Sequence, residues 1–527
     1  MKVVSAGTMQ KAERLAMDNY RIPGQVLMET AGRVCADIVD DQYGPGRGKS
    51  AVIVAGKGNN GGDGYVIARC LLQKGWTVTV FVLAGKESIV GDAEKNLSLL
   101  EPSIVHFCPE ADGLIAFSSV FSDASVIVDA LFGIGLSKNI SGIHAEAVHM
   151  INSAGRPVVA VDIPSGIDAS SGRILGVAVK ADVTITFAFA KLGHVVYPGR
   201  AYTGMLETVD IGLPLKVAES VEYFEYLDGG CIRPLLKSRG RCGHKGRYGH
   251  CLIIAGSTGK TGAASLSANT AVRAGSGLVT LAVPSSLNAI LEVKTTESMT
   301  LPLPDGGKGH LGEENVMALL RATTGKDAVA LGPGISTSAD TVAFVQKFVR
   351  DCPVPLVLDA DGLNAVATDV AVLLEKKSPT VILTPHPGEM SRLTGVSIDH
   401  IENNRIAVAR DFAMRYAVYL VLKGAGTLVA APDGTVAINS SGNPGMASGG
   451  MGDVLTGIIV SLIGQGYPAG EACKLGVFLH GYSADLVARQ KGEIGITATD
   501  VMEMLPYAYK NIRDEERHRG EYNAYRQ

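Results

Sequence analysis

The sequence predicts an α/β protein of two domains, each built on a mostly parallel, doubly wound sheet. Three observations predict it. Short β-rich apolar runs alternate with helical stretches along most of the chain. Glycine makes up 64 of the 527 residues, about 12 % against a usual ~7 %, and clusters directly after apolar runs, where strands turn into helices. The polar residues able to do chemistry gather at those same strand ends, the edge at which doubly wound sheets hold ligands.

A chain of 527 residues exceeds one ordinary core. The character shifts over residues 212–250, from an acidic patch (Glu219, Glu222, Glu225) to the basic run 237–247. The boundary is therefore placed near 225, giving domains 1–225 and 226–527. The basic run reads as a solvated or phosphate-facing loop. Hydrophobic residues are 46 % and charged residues 19 %, a globular composition, and the net charge of -4 disfavours nucleic acid and anionic membranes. The eight cysteines are scattered without a Cys-x-x-Cys, which excludes a zinc ribbon or thioredoxin motif and predicts reduced core cysteines in a cytoplasmic protein. The N-terminus lacks a long apolar segment and no uncharged 18-residue apolar span follows, so neither a signal peptide nor a membrane helix is expected.

In the first half, residues 7–42 read as helix, with Leu27, Met28, Ala31, Val34, Cys35 and Ile38 at three- and four-residue spacing. Strands follow at 51–56, 77–83, 104–107, 125–131, 157–163, 183–189 and 206–211. The first ends in Gly56-Lys-Gly-Asn-Asn-Gly61, a Gly-x-Gly-x-x-Gly pattern. The run 81–85 lacks the acidic residue that a dinucleotide site places after its second strand. The loop continues as Gly62-Asp-Gly64 and reads as a phosphate-approaching loop with added amide and carboxylate chemistry, not a hydride-transfer site. A second strand ends near Asp129, ahead of Gly133 and Gly135, and a third ends in Asp162 with Ser165. Asn60, Asp129, Asp162 and Ser165 would share one rim. Such hard oxygen ligands could hold an alkali or alkaline-earth cation.

In the second half, strands are expected at 250–256, 278–283, 328–331, 356–359, 381–384, 418–423 and 426–431. Pro432-Asp-Gly434 turns the last into 435–438. Gly256-Ser-Thr-Gly-Lys-Thr261 mimics a phosphate-binding loop with two residues too few between its glycines, so Lys260 is not assigned to phosphate. The small residues of 262–275 predict a helix packed close to the sheet. Asp359 and Asp361 follow one strand, as helix caps or as carboxylates near a cation. His386 lies between two prolines that hold it extended, as a substrate contact or a rigid loop residue. The stretch Asn443-Pro-Gly-Met-Ala-Ser-Gly-Gly-Met-Gly-Asp453 opens the apolar run 454–463. A glycine loop before a buried helix makes an anion cradle. Asp453 could cap that helix. It could equally act as a base beside a bound phosphate, the pairing that phosphoryl transfer needs. The tail 510–527 reads as a frayed, solvated helix.

Over about residues 1–215, Gly58-Asn-Asn-Gly-Gly-Asp-Gly64, Asp129-Ala-Leu-Phe-Gly-Ile-Gly135 and Asp162-Ile-Pro-Ser-Gly166 resemble the NAD(P)H-hydrate epimerase family. The resemblance implies a Rossmann-like fold and a potassium site formed by Asn60, Asp129 and Ser165. It implies a hydrate site lined by Asn59, Asn60, Gly61, Gly62 and Asp63 and by Gly133, Ile134, Gly135, Leu136, Ser137, Lys138 and Asn139, with Asp162 in contact. Thr30 stands where asparagine is expected, which bears only on a supporting contact. The hydrate carries a hydroxyl on the ring carbon beside nitrogen. Such a centre inverts by losing and regaining the hydroxyl or by opening the ring. Either route needs a general acid/base, for which Asp162 is the candidate.

Residues 240–505 resemble the ribokinase-like family, and within it the ADP-dependent NAD(P)H-hydrate dehydratases. The motifs are 259–264, Leu331-Gly-Pro-Gly334, Asp359-Ala-Asp-Gly-Leu-Asn364, Thr384-Pro-His-Pro-Gly-Glu389, 423–427 and Gly449-Gly-Met-Gly-Asp453. The resemblance implies hydrate contacts at Ala263, Gly334, His386 and Asp453. It implies nucleotide contacts at Lys423, Gly424, Ala425, Gly426, Thr427 and Gly452, with magnesium accompanying the nucleotide. Lys260 stands where methionine is expected. Together the halves imply a bifunctional enzyme, expected as a homo-oligomer, that interconverts the R and S hydrates and dehydrates the S form with ADP, releasing AMP and phosphate. Two alternatives stay open: a small-molecule kinase joined to a nucleotide-binding module, and a non-catalytic first half.

Overall fold

The computed structural model describes residues 1–45, 48–110 and 114–524, with the backbone alone for 515–524. The chain forms two compact units, Lys2–Phe224 and Met1 with Glu225–Gln527. Both are α/β units with parallel sheets.

The N-terminal unit contains β1 (Lys2–Val4), β2 (Ser50–Ala55), β3 (Thr77–Val82), β4 (Val105–Phe107), β5 (Val126–Ala130), β6 (Val158–Val161), β7 (Val183–Phe187), β8 (Ala190–Lys191) and β9 (Met205–Val209). Seven form one sheet in the order β4-β3-β2-β5-β6-β7-β9, every neighbouring pair parallel. The central strands β2, β5, β6 and β7 are nearly continuous apolar runs buried along their length, as expected when helices cover both faces of a parallel sheet. Strand order reverses between β2 and β5, creating the crevice in which such sheets bind ligands. β1 pairs in parallel with β8.

The helical stretch expected over 7–42 is formed by two helices, Ala6–Tyr20 and Gly24–Tyr43. The chain breaks where Arg21 adopts φ 60° and Pro23 ends the interval. Ser5 caps the first helix through the Thr8 N–H. Strands β1 and β8 escape sequence reading because segments of three and two residues carry no period.

The C-terminal unit contains β10 (Phe224–Leu227), β11 (His250–Ile254), β12 (Leu278–Pro284), β13 (Met299–Leu303), β14 (Ala328–Leu331), β15 (Leu356–Leu358), β16 (Val381–Leu383), β17 (Tyr419–Leu422), β18 (Leu428–Ala430) and β19 (Val436–Asn439). They run in the order β13-β12-β11-β14-β15-β16-β17-β18-β19-β10. Pairing is parallel from β13 to β17, antiparallel through β17-β18-β19, and parallel again between β19 and β10. The switch in strand order falls between β11 and β14. β13 was not expected, because its Pro302 argues against a strand except at a sheet edge, where it lies.

The helix Met451–Gly464 is buried almost throughout. It packs on the helix Thr261–Arg273 so closely that a Cβ on Gly457 would come within 2.5 Å of the Ser267 carbonyl. The small residues of both helices permit that approach. The C-terminal helix runs Ala498–Ala524, and residues 525–527 of the expected tail helix lie outside the described residues. All eight cysteines are free and six of them are buried. Among the described residues, no helix is long and apolar enough to cross a membrane.

Two candidate active sites

At the β2/β5 switch point of the N-terminal unit lies a cavity of about 590 Å3. Three loops build it. The turn after β2 feeds the helix Asn59–Gln73 and places Asn59, Asn60 and Asp63 on the lining. The loop after β5 contributes Gly133, Ile134, Gly135, Leu136, Ser137 and Lys138, and the turn after β6 contributes Asp162. Gly61, Gly62 and Asn139 are not on the lining. Gly61 lies against the Gly56 carbonyl, and Gly62 lies against Met28 and Ala93. Both spaces would be filled by a Cβ, so Gly61 serves packing of the helix start on the turn after β2, and Gly62 serves packing between helices. Asn139 sits beside Gly176.

Asp162 is 7 % exposed and adopts φ 65°, a left-handed conformation that costs a residue with a Cβ free energy and occurs at functional sites. Its Oδ1 accepts from Lys191 Nζ at 2.6 Å and from Thr186 Oγ1 at 3.2 Å. Burial raises its pKa, but the Lys191 ammonium and these hydrogen bonds outweigh burial and hold the carboxyl below its ordinary value. Lys191 is fully buried. Its remaining donors reach Thr186 Oγ1 at 2.9 Å and the Phe187 carbonyl at 3.2 Å, which satisfies all three. His194 Nδ1 accepts from the Lys191 amide, and burial lowers the imidazole to about 3, leaving it neutral.

Lys191, His194 and Glu13 were missed by sequence reading. A signal existed for Lys191, a lysine inside the apolar run Phe187-Ala-Phe-Ala-Lys-Leu192. Glu13 faces the cavity from the helix side that carries buried Met9, Ala12 and Ala16. Thr30 donates its hydroxyl to the Val26 carbonyl at 2.9 Å, a bond within its own helix.

Asp129 and Ser165 meet behind this rim, and Asn60 lies against the Gly133 loop. Asp129 is fully buried. It accepts from the Ser165 amide at 2.8 Å, the Ser165 hydroxyl at 2.6 Å and the Leu131 amide at 3.2 Å. Burial pushes its carboxyl up to about 6 despite these donors. Both amide atoms of Asn60 are buried without a hydrogen-bond partner among the described residues. A Cβ on Gly133 would lie 3.4 Å from Asn60 Oδ1.

The second site lies at the strand C-termini of the C-terminal unit. The chain after β15 places Asp359, 1 % exposed, at its centre. Asp359 Oδ1 accepts from Lys423 Nζ at 2.7 Å and Thr384 Oγ1 at 2.8 Å, and its Oδ2 accepts from Thr456 Oγ1 at 2.9 Å. Lys423 Nζ also lies 3.6 Å from Glu389 Oε2. Burial works against the ammonium, but Asp359 and Glu389 outweigh it and hold its pKa above the ordinary value. Lys423 thus enters the site as part of a buried ion pair. Gly424, Ala425, Gly426 and Thr427 continue its loop, with Gly424 and Gly426 at positive φ. Arg405, not singled out from the sequence, anchors that loop by donating to the Leu422 and Lys423 carbonyls, each at 3.2 Å.

Asp453 is the third residue of the helix Met451–Gly464, whose N-cap is Gly450 at φ 88°. It is therefore not the capping residue, and its carboxyl makes no hydrogen bond among the described residues. The first-turn N–H groups of this helix lack a side-chain cap, which leaves donors for an anion. Gly452 sits beside the ion pair: a Cβ there would lie 3.4 Å from both Asp359 Oδ2 and Lys423 Nζ. Burial, then the charges of Asp359 and Asp361, push the Asp453 carboxyl up to about 7, against the pull of Lys423. A carboxyl poised there can act as a base at neutral pH.

His386 is extended, φ −82° and ψ 168°, and caps the helix Pro387–Thr394. Its Nδ1 accepts the Gly388 N–H at 3.0 Å, so the proton resides on Nε2. Its backbone N–H donates to Glu389 Oε2 at 2.8 Å. Through Glu389 the histidine joins the Lys423–Asp359 network. Gly334, at φ 60°, lies against Lys260 and Ala263, and Lys260 Nζ pairs with Asp361 Oδ2 at 2.8 Å. Lys423, Gly452 and, through Glu389, His386 thus gather about Asp359, while Gly334 and Ala263 meet at Lys260, whose partner Asp361 lies two residues beyond Asp359. Among the described residues, no group of three His, Cys, Asp or Glu side chains is placed to hold a metal.

Two families match the chain, NAD(P)H-hydrate dehydratase over residues 251–507 and YjeF-related protein N-terminus over residues 24–193. The chain is 44 % identical to a bifunctional NAD(P)H-hydrate repair enzyme of Moorella thermoacetica, over 98 % of each chain. It is 38 % identical to that of Thermofilum pendens, over 98 % of this chain and 97 % of the relative. The corresponding enzyme of Escherichia coli is 34 % identical, over 95 % and 92 %. Among solved structures, the ADP/ATP-dependent NAD(P)H-hydrate dehydratase of Bacillus subtilis, co-crystallised with ATP and Mg2+, aligns with 27 % identity and a TM-score of 0.47, covering 55 % of this chain and 99 % of that one. Matched over nearly its whole length, the chain belongs to the family of bifunctional NAD(P)H-hydrate repair enzymes.

Proposed function

We propose that the C-terminal unit dehydrates the S hydrate of NADH or NADPH by a phosphoryl-transfer route in which Asp453 is the base, and that the N-terminal unit interconverts the R and S hydrates around Asp162. The observation that carries this reading is the Asp453 carboxyl, raised to about 7 in the first turn of an uncapped helix beside the Asp359–Lys423 pair. Asp453 takes the proton of the ring hydroxyl, and that oxygen attacks the terminal phosphorus of ADP. AMP leaves. The ring nitrogen's lone pair then expels phosphate, a better leaving group than water, to leave an iminium ion, and loss of a proton from the adjacent ring carbon restores the reduced nicotinamide. The free N–H groups of the helix start stabilise the charge on the transferring phosphoryl group. Ala263, Gly334 and the Nε2–H of His386 face the hydrate, and the loop 423–427 with Gly452 holds the nucleotide. Magnesium, whose usual ligands are substrate phosphates with one or two carboxylates, neutralises phosphate charge when bound with the nucleotide.

In the N-terminal unit, Asn60, Asp129 and Ser165 would hold potassium. The unpartnered buried amide of Asn60 and the buried Asp129 carboxylate support that assignment, because amide, carboxylate and hydroxyl oxygens suit a hard cation. When bound, the ion would supply positive charge to the site. Asp162, kept ionised by Lys191, accepts a proton from the hydrate.

The test mixes both epimers of hydrated NADH with the protein and ADP and follows near-ultraviolet absorbance. Full recovery, faster than spontaneous epimerisation allows, is expected. Half recovery followed by a slow tail would remove the epimerase role. A stable phosphorylated product without recovery would replace the dehydratase by a kinase.

A further inference from the structure

We propose that Asp63 is the proton donor of the epimerase reaction, working with Asp162 as the proton acceptor in the same cavity. The proposal rests on the epimerase reading above and names the second half of its acid/base machinery.

The cavity of the N-terminal unit is lined by three carboxyl side chains, Glu13, Asp63 and Asp162. The ammonium of Lys191 serves only one of them. Its three donors are spent on Asp162, Thr186 and the Phe187 carbonyl. Asp63 is 8 % exposed, yet its carboxyl makes no hydrogen bond or ion pair among the described residues. A buried carboxylate left ionised without a partner is costly, whereas a protonated one turned toward a cavity is poised to donate.

The groups facing Asp63 come from four elements: Glu13 on the helix Ala6–Tyr20, Cys35 on the helix Gly24–Tyr43, Asp162 after β6 and Lys191 on β8. Burial first, then the charges of Asp162 and Glu13, raise its pKa well above the ordinary value, and Lys191 offsets only part. Burial and Asp162 raise Glu13 too. Cys35 is a fully buried, neutral thiol. Asp162 is held in the opposite direction. Two carboxyls whose surroundings push their protonation states apart make an acid and a base.

The step balances as a ring opening. Asp162 takes the proton of the ring hydroxyl, whose oxygen forms a carbonyl to the same carbon. The carbon–nitrogen bond breaks, its electron pair goes to nitrogen, and nitrogen takes the proton of Asp63. Rotation about the adjacent carbon–carbon bond presents the other carbonyl face. Nitrogen adds back, returns its proton to Asp63, and the oxygen takes its own from Asp162. Both carboxyls end as they began, so each turnover leaves the site ready for either epimer.

The experiment compares the full-length wild type with Asp63→Asn and Asp63→Glu, using mixed hydrated NADH and, separately, the S epimer with ADP. Wild-type recovery of both epimers tests the underlying epimerase reading, so a wild type inactive on R sinks that reading and not this one alone. Asp63→Asn is expected to lower epimerase kcat about 10²–10⁴-fold with KM changed less than about threefold. The alkaline fall in the wild-type rate, where Asp63 loses its proton, should vanish in Asp63→Asn, and Asp63→Glu should recover part of the rate. Turnover of the S epimer with ADP should continue in the variants, showing a folded chain. An Asp63→Asn protein with undiminished kcat, or one whose loss lies in KM with the alkaline fall retained, would overturn the proposal. Epimerisation in 18O water should leave the hydroxyl oxygen unlabelled. Label in every product would overturn the transfer to nitrogen.

Discussion

Lys423 Nζ lies 2.7 Å from Asp359 Oδ1, and Gly452, the residue before Asp453, abuts that ion pair, whose charges both act on the Asp453 carboxyl. Asp359 alone would raise Asp453 further, and Lys423 tempers it. Lys423→Met should therefore do two things. It strands Asp359 as a buried, unpaired charge and should cost about 3–5 kcal/mol in urea unfolding. It should also move the pH at which the dehydratase base titrates upward, read from kcat/KM against pH. An unchanged profile would mean that Asp453 does not sense the pair.

Asp453→Asn should lower S-hydrate dehydration at least ~10²-fold while leaving epimerisation intact, measured with separate epimers. In the wild type, dehydratase kcat/KM should rise as pH increases through about 7, because a base works only when deprotonated.

The same carboxyl makes a stability prediction of definite sign. Its folded pKa of about 7 lies above the unfolded value of ~3.9, so the folded state binds the proton more tightly. This contribution is fully present below pH ~4 and is lost as pH rises toward 7. Asp453→Asn should therefore have a higher Tm than wild type at pH 8, with the gap closing at acid pH. A lower Tm at pH 8 would show that the carboxylate is stabilised by contacts beyond those described.

Lys191→Met removes the counter-charge of a buried Asp162. The ~3–5 kcal/mol cost of breaking a buried pair should appear in unfolding, and the acid limb of the epimerase profile should shift to higher pH. For Asp162 the folded pKa is depressed, so its stabilising contribution is present above pH ~3.9 and is lost as pH falls through the folded value. Lys191→Met should flatten that acid destabilisation.

Potassium should raise the Tm of the wild type and lithium should not, because ligand binding to the folded state alone stabilises it by mass action. Asn60→Ala should abolish the difference. If both proteins respond alike, the buried amide is satisfied by something other than this ion.

What could be read along the chain was the set of features that are local in it. The glycine clusters, the apolar strand runs and the carboxylates at their ends lie within a few residues of one another. Backbone geometry fixes their relation: a strand that turns through glycine into a helix must place the turn residues at the sheet's C-terminal edge. The α/β class, Asp453 in the first turn of a buried helix and His386 held extended were accessible in that way. β13 was hidden by its proline, and the break at Arg21 by a left-handed backbone that no period announces.

The tertiary structure decided which charges meet. Asp359 and Lys423 are 64 residues apart and pair because β15, β16 and β17 are neighbours. Lys191 reaches Asp162 across 29 residues, and Glu13 enters from a stretch read from the sequence only as helix. Protonation state follows from burial and from the sign of the nearest charge, and both are properties of the packed chain. The sequence by itself determined which acids stand at the ligand edge of each sheet. Packing determined which of them keep their protons, because only packing removes water and brings a lysine to one carboxylate and not the next.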